Sequence, residues 1–75
     1  MSEYTIKTIW DPEASVWIAT SDDLPGLIME SGSLDALIER VRFAVPDLLK
    51  LDGNVQKQLS MCLISERHET VYAYG

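Results

Sequence analysis

The sequence has few of the residues that redox sites and metal sites require. Among 75 residues there is one cysteine, Cys62, and one histidine, His68. A single cysteine excludes an intrachain disulfide and any metal site built from several cysteines. Its place in an apolar run favours a buried, unreactive thiol. We therefore expect no disulfide framework and no cysteine-based metal centre.

Positive charge is also scarce. Six Lys and Arg residues stand against twelve Asp and Glu residues, which gives a formal net charge of -6. Proteins bind phosphate backbones through clusters of Lys and Arg, whereas the six basic residues here are scattered along the chain. The composition therefore argues against direct nucleic-acid binding. An acidic surface suits a basic protein partner, although negative charge also simply keeps a small protein soluble.

Long apolar runs are absent. No run approaches the length of a membrane span, and the N-terminal segment MSEYTIKTIW has no apolar signal region. Together with the lack of disulfides, this predicts a cytoplasmic protein that does not use a membrane. Apolar residues make up 47% of the chain, enough for one domain over residues 1–75. Because so small a domain buries little surface, we expect a homodimer or a complex.

The sequence contains no constellation that indicates catalysis. His68 lies at a predicted turn without an evident partner group, which favours a solvated residue over a general base. The serines lack a nucleophile elbow, and the glycines do not form a phosphate-binding loop. Asp22 and Asp23 lack the spacing of a calcium loop, and turn formation explains them. We expect neither an enzyme nor a metal or cofactor site.

Residue patterns predict five strands. Alternating β-branched and aromatic residues indicate the first two, which the turn containing Asp11-Pro12 joins into an antiparallel hairpin. The Pro25-Gly26 pair breaks the chain before the third strand. The strands are predicted at 4–10, 16–20, 27–30, within 55–66 and at 70–75.

One helix is predicted between the third and fourth strands, with Ser33 as its N-cap. Pro46 predicts a kink near 42–46 or a short second helix, and Gly53 or Asn54 is the predicted stop. The order β-β-β-α-β-β predicts an α+β fold in which one antiparallel-rich sheet packs on one helix. The sheet's other face is left to water or a partner. The apolar stripe of the helix is Leu34, Leu37, Ile38, Val41, Val45, Leu48 and Leu49.

The two tryptophans, Trp10 and Trp17, flank the first hairpin and have two interpretations. On the open side of the sheet they would be partner-binding residues, because tryptophan is enriched at binding hot spots. Otherwise they fill the core or pair across the strands. The sequence alone leaves both interpretations open.

Residues 11–41, DPEASVWIATSDDLPGLIMESGSLDALIERV, resemble a known family. The pattern is an Asp-Pro turn, a strand, Asp-Leu-Pro-Gly, a short strand ending near a Glu, and a helix that starts with Ser-Leu. It is similar to the HicB family of bacterial antitoxins, and most closely to the short branch DUF1902. The matching positions are Asp11-Pro12, Val16 to Thr20, Asp23 to Gly26, Leu27 to Glu30 and Ser33-Leu34.

The resemblance implies a β-β-β-α-β-β fold similar to the double-stranded-RNA-binding domain. It also implies an antitoxin that binds and blocks HicA, a small basic ribonuclease toxin. Many HicB proteins carry a C-terminal DNA-binding segment, which we expect to be absent because the chain ends at Gly75, directly after the predicted fifth strand. The candidate contact residues are Asp22, Asp23, Glu30, Glu39 and Asp47, with Trp10 and Trp17.

Two other functions are kept as alternatives. One is an orphan dimeric domain with a structural or regulatory role and no toxin. The other is a nucleic-acid-binding module, which only the fold similarity suggests and which the acidic composition opposes. A homodimer could form through an exposed edge strand or by stacking of the open sheet face through Trp and Tyr.

Overall fold

The computed structural model describes residues 3–50 and 58–74, in which one helix covers one face of a four-stranded sheet. The sheet order is β3-β2-β1-β4. Strand β2 is antiparallel to both of its neighbours, and β4 is parallel to β1. The predicted two-layer α+β class is confirmed. The elements are β1 (Glu3–Asp11), β2 (Val16–Thr20), β3 (Ile28–Ser31), α1 (Leu34–Leu48) and β4 (Ser60–Glu66).

The first hairpin forms as predicted, and its turn is built by Asp11. The Asp11 carboxylate accepts hydrogen bonds from the backbone N–H groups of Glu13, at 3.0 Å, and Ala14, at 3.4 Å. This side-chain turn reverses the chain, so that Asp11 pairs with Val16 at the end of the ladder. The pairing fixes which residues of β1 and β2 share a face.

The second reversal uses Leu24-Pro25-Gly26-Leu27. The N–H of Leu27 donates to the carbonyl of Leu24 at 3.1 Å, and Gly26 has a φ of 93°. Proline followed by a left-handed glycine is the signature of a type II turn. Leu24 and Leu27 are both buried, so the turn also supplies the core with two leucines. Strand β3 consequently begins at Ile28, one residue later than predicted.

Helix α1 buries Leu37, Val41 and Val45 of its predicted apolar stripe against the sheet, whereas Leu48 of the same stripe is exposed. The Ser33 hydroxyl accepts from the N–H of Ala36 at 3.3 Å, which confirms the predicted N-cap. Pro46 lies within this single helix, so the predicted short second helix does not form. Its missing N–H affects only the carbonyl of Arg42, close to the end of α1. The core consists of Ile6, Ala19, Leu24, Leu27, Leu37, Val41 and Val45.

The end of the helix differs from the prediction. Helix α1 ends at Leu48, and Lys50 follows with a φ of 54°. The predicted stop at Gly53 or Asn54 lies outside the described residues. The left-handed conformation at Lys50 is of the kind that commonly ends a helix.

The predicted fifth strand at 70–75 is wrong for its described part, because residues 70–74 form no strand within the single chain. Residues 67–74 pair with none of the four strands, and the side chains of Val71, Tyr72 and Tyr74 are exposed. The prediction places Val71 and Ala73 on one side of a strand TVYAYG, and Thr70, Tyr72 and Tyr74 on the other. A strand also needs a neighbouring strand, and alternation along one segment cannot supply that neighbour.

Candidate protein-interaction surface

The sheet has one covered face and one open face, and strand alternation decides which residues belong to each. Ile6 and Thr8 lie on the helix side of the sheet and are fully buried. The residues between them point the other way, together with their partners in β2, β3 and β4. We call this second side the open face. Its members are Glu3, Thr5, Lys7, Ile9, Asp11, Val16, Ile18, Thr20, Ile28, Glu30, Ser60, Cys62, Ile64 and Glu66.

Apolar side chains are exposed on the open face. Ile9 is 46% exposed, Ile64 51% and Ile28 77%. A shallow pocket of about 210 Å³ lies here, lined by Lys7, Thr8, Ile9, Ile64 and Glu66. Exposed apolar area grouped on one side of a small protein is typical of a binding surface, because burying it against a partner is favourable.

The charge of the open face is negative. It carries four carboxylates and one ammonium group, that of Lys7. Isoleucines among carboxylates form a surface that can contact the apolar parts of a partner while attracting its basic side chains. The carboxylates belong to Glu3, Asp11, Glu30 and Glu66.

The structure does not bring the acidic candidates together. Glu30 lies on the open face, whereas Glu39 and Asp47 lie on α1, on the opposite side of the sheet. Glu39 forms an ion pair with Arg42 at 3.4 Å. Asp23 accepts a hydrogen bond from the backbone N–H of Thr5 at 2.7 Å, and Asp22 is exposed in the same loop. Of the five acidic candidates, therefore, only Glu30 belongs to the open face.

The two tryptophans lie on the helix side of the sheet. Trp10 and Trp17 are cross-strand partners, with ring centroids 5.5 Å apart and planes inclined by 60°. The Arg67 guanidinium carbon lies 4.3 Å from the Trp10 centroid and 6.0 Å from that of Trp17. The rings thus form a half-buried cluster beside Arg67, the first residue after β4, away from the open face.

Ile9, Ile64 and Glu66 were not among the contact residues predicted from the sequence. The signal that could have found them is the two-residue period of the strands. Once Ile6 and Thr8 are placed in the core, Lys7 and Ile9 must point away from the helix. Ile64 and Glu66 follow in the same way from Leu63, which packs against the core.

The single cysteine also lies on the open face. Cys62 is a free thiol and is half-buried, less enclosed than its apolar neighbours in sequence suggested. Within residues 3–50 and 58–74, no three side chains of the His, Cys, Asp and Glu types are grouped to hold a metal ion. None of the helical residues described forms a segment long and apolar enough to span a bilayer.

Comparison with known proteins places the chain in a family. The model of the family described as Domain of unknown function (DUF1902) matches residues 3–74. The chain belongs to the DUF1902 family. A search of the curated proteins found no match.

A solved structure shares the fold of this DUF1902 chain. It is the crystal structure of hypothetical protein TTHA1013 from the extremely thermophilic bacterium Thermus thermophilus. The TM-score is 0.75 at 32% sequence identity, and the match covers 93% of this chain and 100% of that chain. The sheet-and-helix arrangement that creates the open face is therefore common to both structures.

Proposed function

We propose that this DUF1902 domain is an antitoxin-like interaction protein that binds and blocks a small basic ribonuclease of the HicA type in the cytoplasm. The observation that carries the proposal is the open face, where exposed isoleucines lie among four carboxylates with one ammonium group. The sequence resemblance to HicB supports the class of partner.

The charge of the open face favours a protein partner over RNA. Carboxylates repel phosphate groups, and one lysine releases few counterions, so this face would bind a nucleic acid poorly. A basic ribonuclease carries the opposite charge on the surface that binds its substrate. An acidic domain that docks there would be attracted by charge and would exclude RNA by occupying the same surface.

The exposed isoleucines would supply the apolar contacts that charged groups alone cannot make. Charged groups mainly direct encounter and orientation, while apolar contacts at the centre of an interface contribute much of the affinity. Ile9 and Ile64 border the shallow pocket, which could receive an apolar side chain of the ribonuclease. Glu66 and Lys7 line the same pocket and could orient that side chain's polar neighbours.

A matched pair of charge reversals tests the proposal. Glu30→Lys changes the open face, and Glu39→Lys makes the same change on the helix side. Calorimetric titration with a purified HicA-type ribonuclease from the same cells should show weaker binding for Glu30→Lys. We expect a change of about tenfold, which corresponds to about 1.4 kcal/mol. Glu39→Lys should bind like the unaltered protein.

Inhibition of RNA cleavage should follow the same order as binding. If the two reversals weakened binding equally, the open face would not be the surface that binds the ribonuclease. If no binding were measured at low salt, where charge attraction is strongest, the ribonuclease would not be the partner.

A second candidate is a dimeric domain with a structural or regulatory role and no toxin. The exposed segment 67–74 favours it, because three large apolar side chains there have no covering group within the described chain. Deleting or overexpressing the gene should then leave growth unchanged, whereas an antitoxin that holds a toxin in check should be needed for growth.

A further inference from the structure

The C-terminal segment 67–74, here called the arm, projects from the domain. It follows β4 directly and contains no turn or bend. The molecule measures 61 Å along its longest axis and only 22 and 19 Å along the others. Fifteen residues from Ser60 to Tyr74, extended at roughly 3.3 Å each, span about 50 Å, which is most of this length.

The arm has no strand beside it within the described part of its own chain. The last pair of the parallel β1–β4 ladder is Ile9 with Glu66. One residue further along both segments, the Arg67 side chain lies over the Trp10 ring. Another step would bring His68 level with Asp11, where β1 ends and the hairpin turns. A straight arm also cannot fold back on β4. Residues 69–74 therefore lie beyond the end of the sheet.

The apolar side chains of the arm remain in water. Val71 is 85% exposed, Tyr72 80% and Tyr74 97%. An extended segment with unpaired backbone groups and exposed apolar side chains is suited to join the edge of another sheet.

The two edges of the sheet differ in their capacity to accept an added strand. Strand β3 has four residues, and the Arg40 side chain donates to the carbonyl of Glu30 at 2.8 Å. A short strand whose carbonyl bonds a side chain makes a poor template. Strand β4 has seven residues and, among the four described strands, pairs only with β1, so alternate residues direct their backbone groups outward.

We propose that the arm of one copy adds as an antiparallel strand to the β4 edge of a second copy, and that the exchange is reciprocal. The arm has eight residues and the edge has seven, so their lengths match. Each copy has one arm and one such edge. In a dimer with a two-fold axis, each arm pairs with the β4 edge of the other copy, so no arm or β4 edge is left to bind a third copy.

The geometry also assigns the tyrosines to a face. Arg67 lies on the helix side, against Trp10, and side chains alternate along a strand. Tyr72 and Tyr74 therefore fall on the side of Ile64, and Val71 falls on the helix side. In the dimer, the tyrosines of one arm lie beside Cys62 and Ile64 of the second copy and cover exposed apolar area there.

This arrangement would build the interaction surface from two copies. The tyrosines of each arm would extend the open face of the other copy next to its shallow pocket. This last point rests on the proposed function, whereas the arm exchange does not. The experiments on the arm use the DUF1902 protein alone, so their outcome is separate from the binding of a ribonuclease.

Removing residues 70–74, most of the arm, is the first test. Sedimentation velocity on the full chain should show a dimer, and a chain that stops after Glu69 should be a monomer. We expect the dimer dissociation constant to rise at least about 100-fold on truncation, since the strand contacts of residues 70–74, most of the arm, are lost. Circular dichroism should show that the truncated protein keeps its fold, because the core lies elsewhere.

A pair of single substitutions separates the arm from general surface hydrophobicity. Tyr72→Asp places a charge on an exposed aromatic of the arm, and Phe43→Asp does the same on the helix, where Phe43 is 72% exposed. Tyr72→Asp should weaken the dimer about as strongly as the truncation. Phe43→Asp should leave it unchanged.

The native thiol allows a test of which side of the arm faces Cys62. Cysteines placed at Thr70, Tyr72 and Tyr74 fall on the Cys62 side, and those at Val71 and Ala73 fall on the other. After mild oxidation, at least one of the first three should form a covalent dimer, and neither of the last two should. Adding Cys62→Ser should abolish that crosslink.

Three results would overturn the proposal. The first is that the full chain remains a monomer at about 100 µM, a concentration at which even a weak specific dimer should form. Another is a dimer that survives removal of the arm. The third is crosslinking only from positions 71 and 73.

Discussion

The carboxylate of Asp23 occupies the position of a missing strand residue opposite Thr5. Strand β2 ends at Thr20, the partner of Lys7, so the ladder stops two residues short of Thr5. Asp23 then accepts from the N–H of Thr5 at 2.7 Å, and the Ser21 hydroxyl donates to the Thr5 carbonyl at 2.6 Å. Two side chains thus satisfy backbone groups that β2 would otherwise pair.

Replacing Asp23 should therefore destabilise the protein. Asp23→Ala removes a hydrogen bond to a charged group and should lower the free energy of unfolding by about 1–2 kcal/mol. Asp22→Ala is the matched control, because Asp22 is exposed in the same loop. Urea unfolding followed by circular dichroism measures both. If the two variants are equally stable, the bond to Thr5 contributes little.

The type II turn leads to a prediction about two glycines. Gly26 has a φ of 93°, and a Cβ there would meet nothing closer than Leu48 Cδ2 at 4.0 Å. The cost of Gly26→Ala is therefore conformational, about 1–2 kcal/mol. Gly32→Ala should be neutral or slightly stabilising, since φ at Gly32 is outside the left-handed region and the nearest atom is the Ser15 carbonyl oxygen at 3.8 Å.

Thermal unfolding would compare the two glycine variants directly. A domain of this size should lose several degrees of Tm for Gly26→Ala, roughly 4–8 °C for each kcal/mol. An equal loss at Gly32 would show that a left-handed backbone is not the cause.

The arginine beside the tryptophans can be tested by fluorescence. The chain has two tryptophans, and both are in contact range of Arg67, so emission reports on this cluster. Arg67→Ala should expose the rings to acrylamide quenching and cost about 0.5–1 kcal/mol. Arg42→Ala, which removes only the surface pair with Glu39, should leave the emission unchanged. Unchanged quenching in Arg67→Ala would show that the guanidinium does not shield the rings.

Local chemistry was enough to predict most of the fold. The hairpin follows from Asp11-Pro12 between two β-branched runs, and the helix follows from Ser33 and the stripe through Leu37, Val41 and Val45. These signals act over a few residues, so they can be read without knowledge of the tertiary structure. The same applies to the alternation of Met61 and Leu63 with Cys62 and Ile64.

What the sequence could not decide depends on neighbours far along the chain. The fifth strand was expected from the alternation of Val71, Tyr72 and Ala73, but the described strands offer no edge in line with them. Asp23 was expected on a binding surface because it is charged, yet its role depends on the backbone of Thr5, 18 residues earlier. Only the assembled sheet shows both facts.

The parallel pairing of β1 with β4 has a consequence for biosynthesis. The first and last strands of the sheet lie side by side, with Glu3 paired to Ser60 and Ile9 to Glu66. A growing chain can form the β1–β2 hairpin early, but the other side of β1 stays open until residue 66 has left the ribosome. An open apolar strand invites pairing with neighbouring chains. Synthesis at a crowded polysome is therefore the stage at which this protein is most exposed to aggregation.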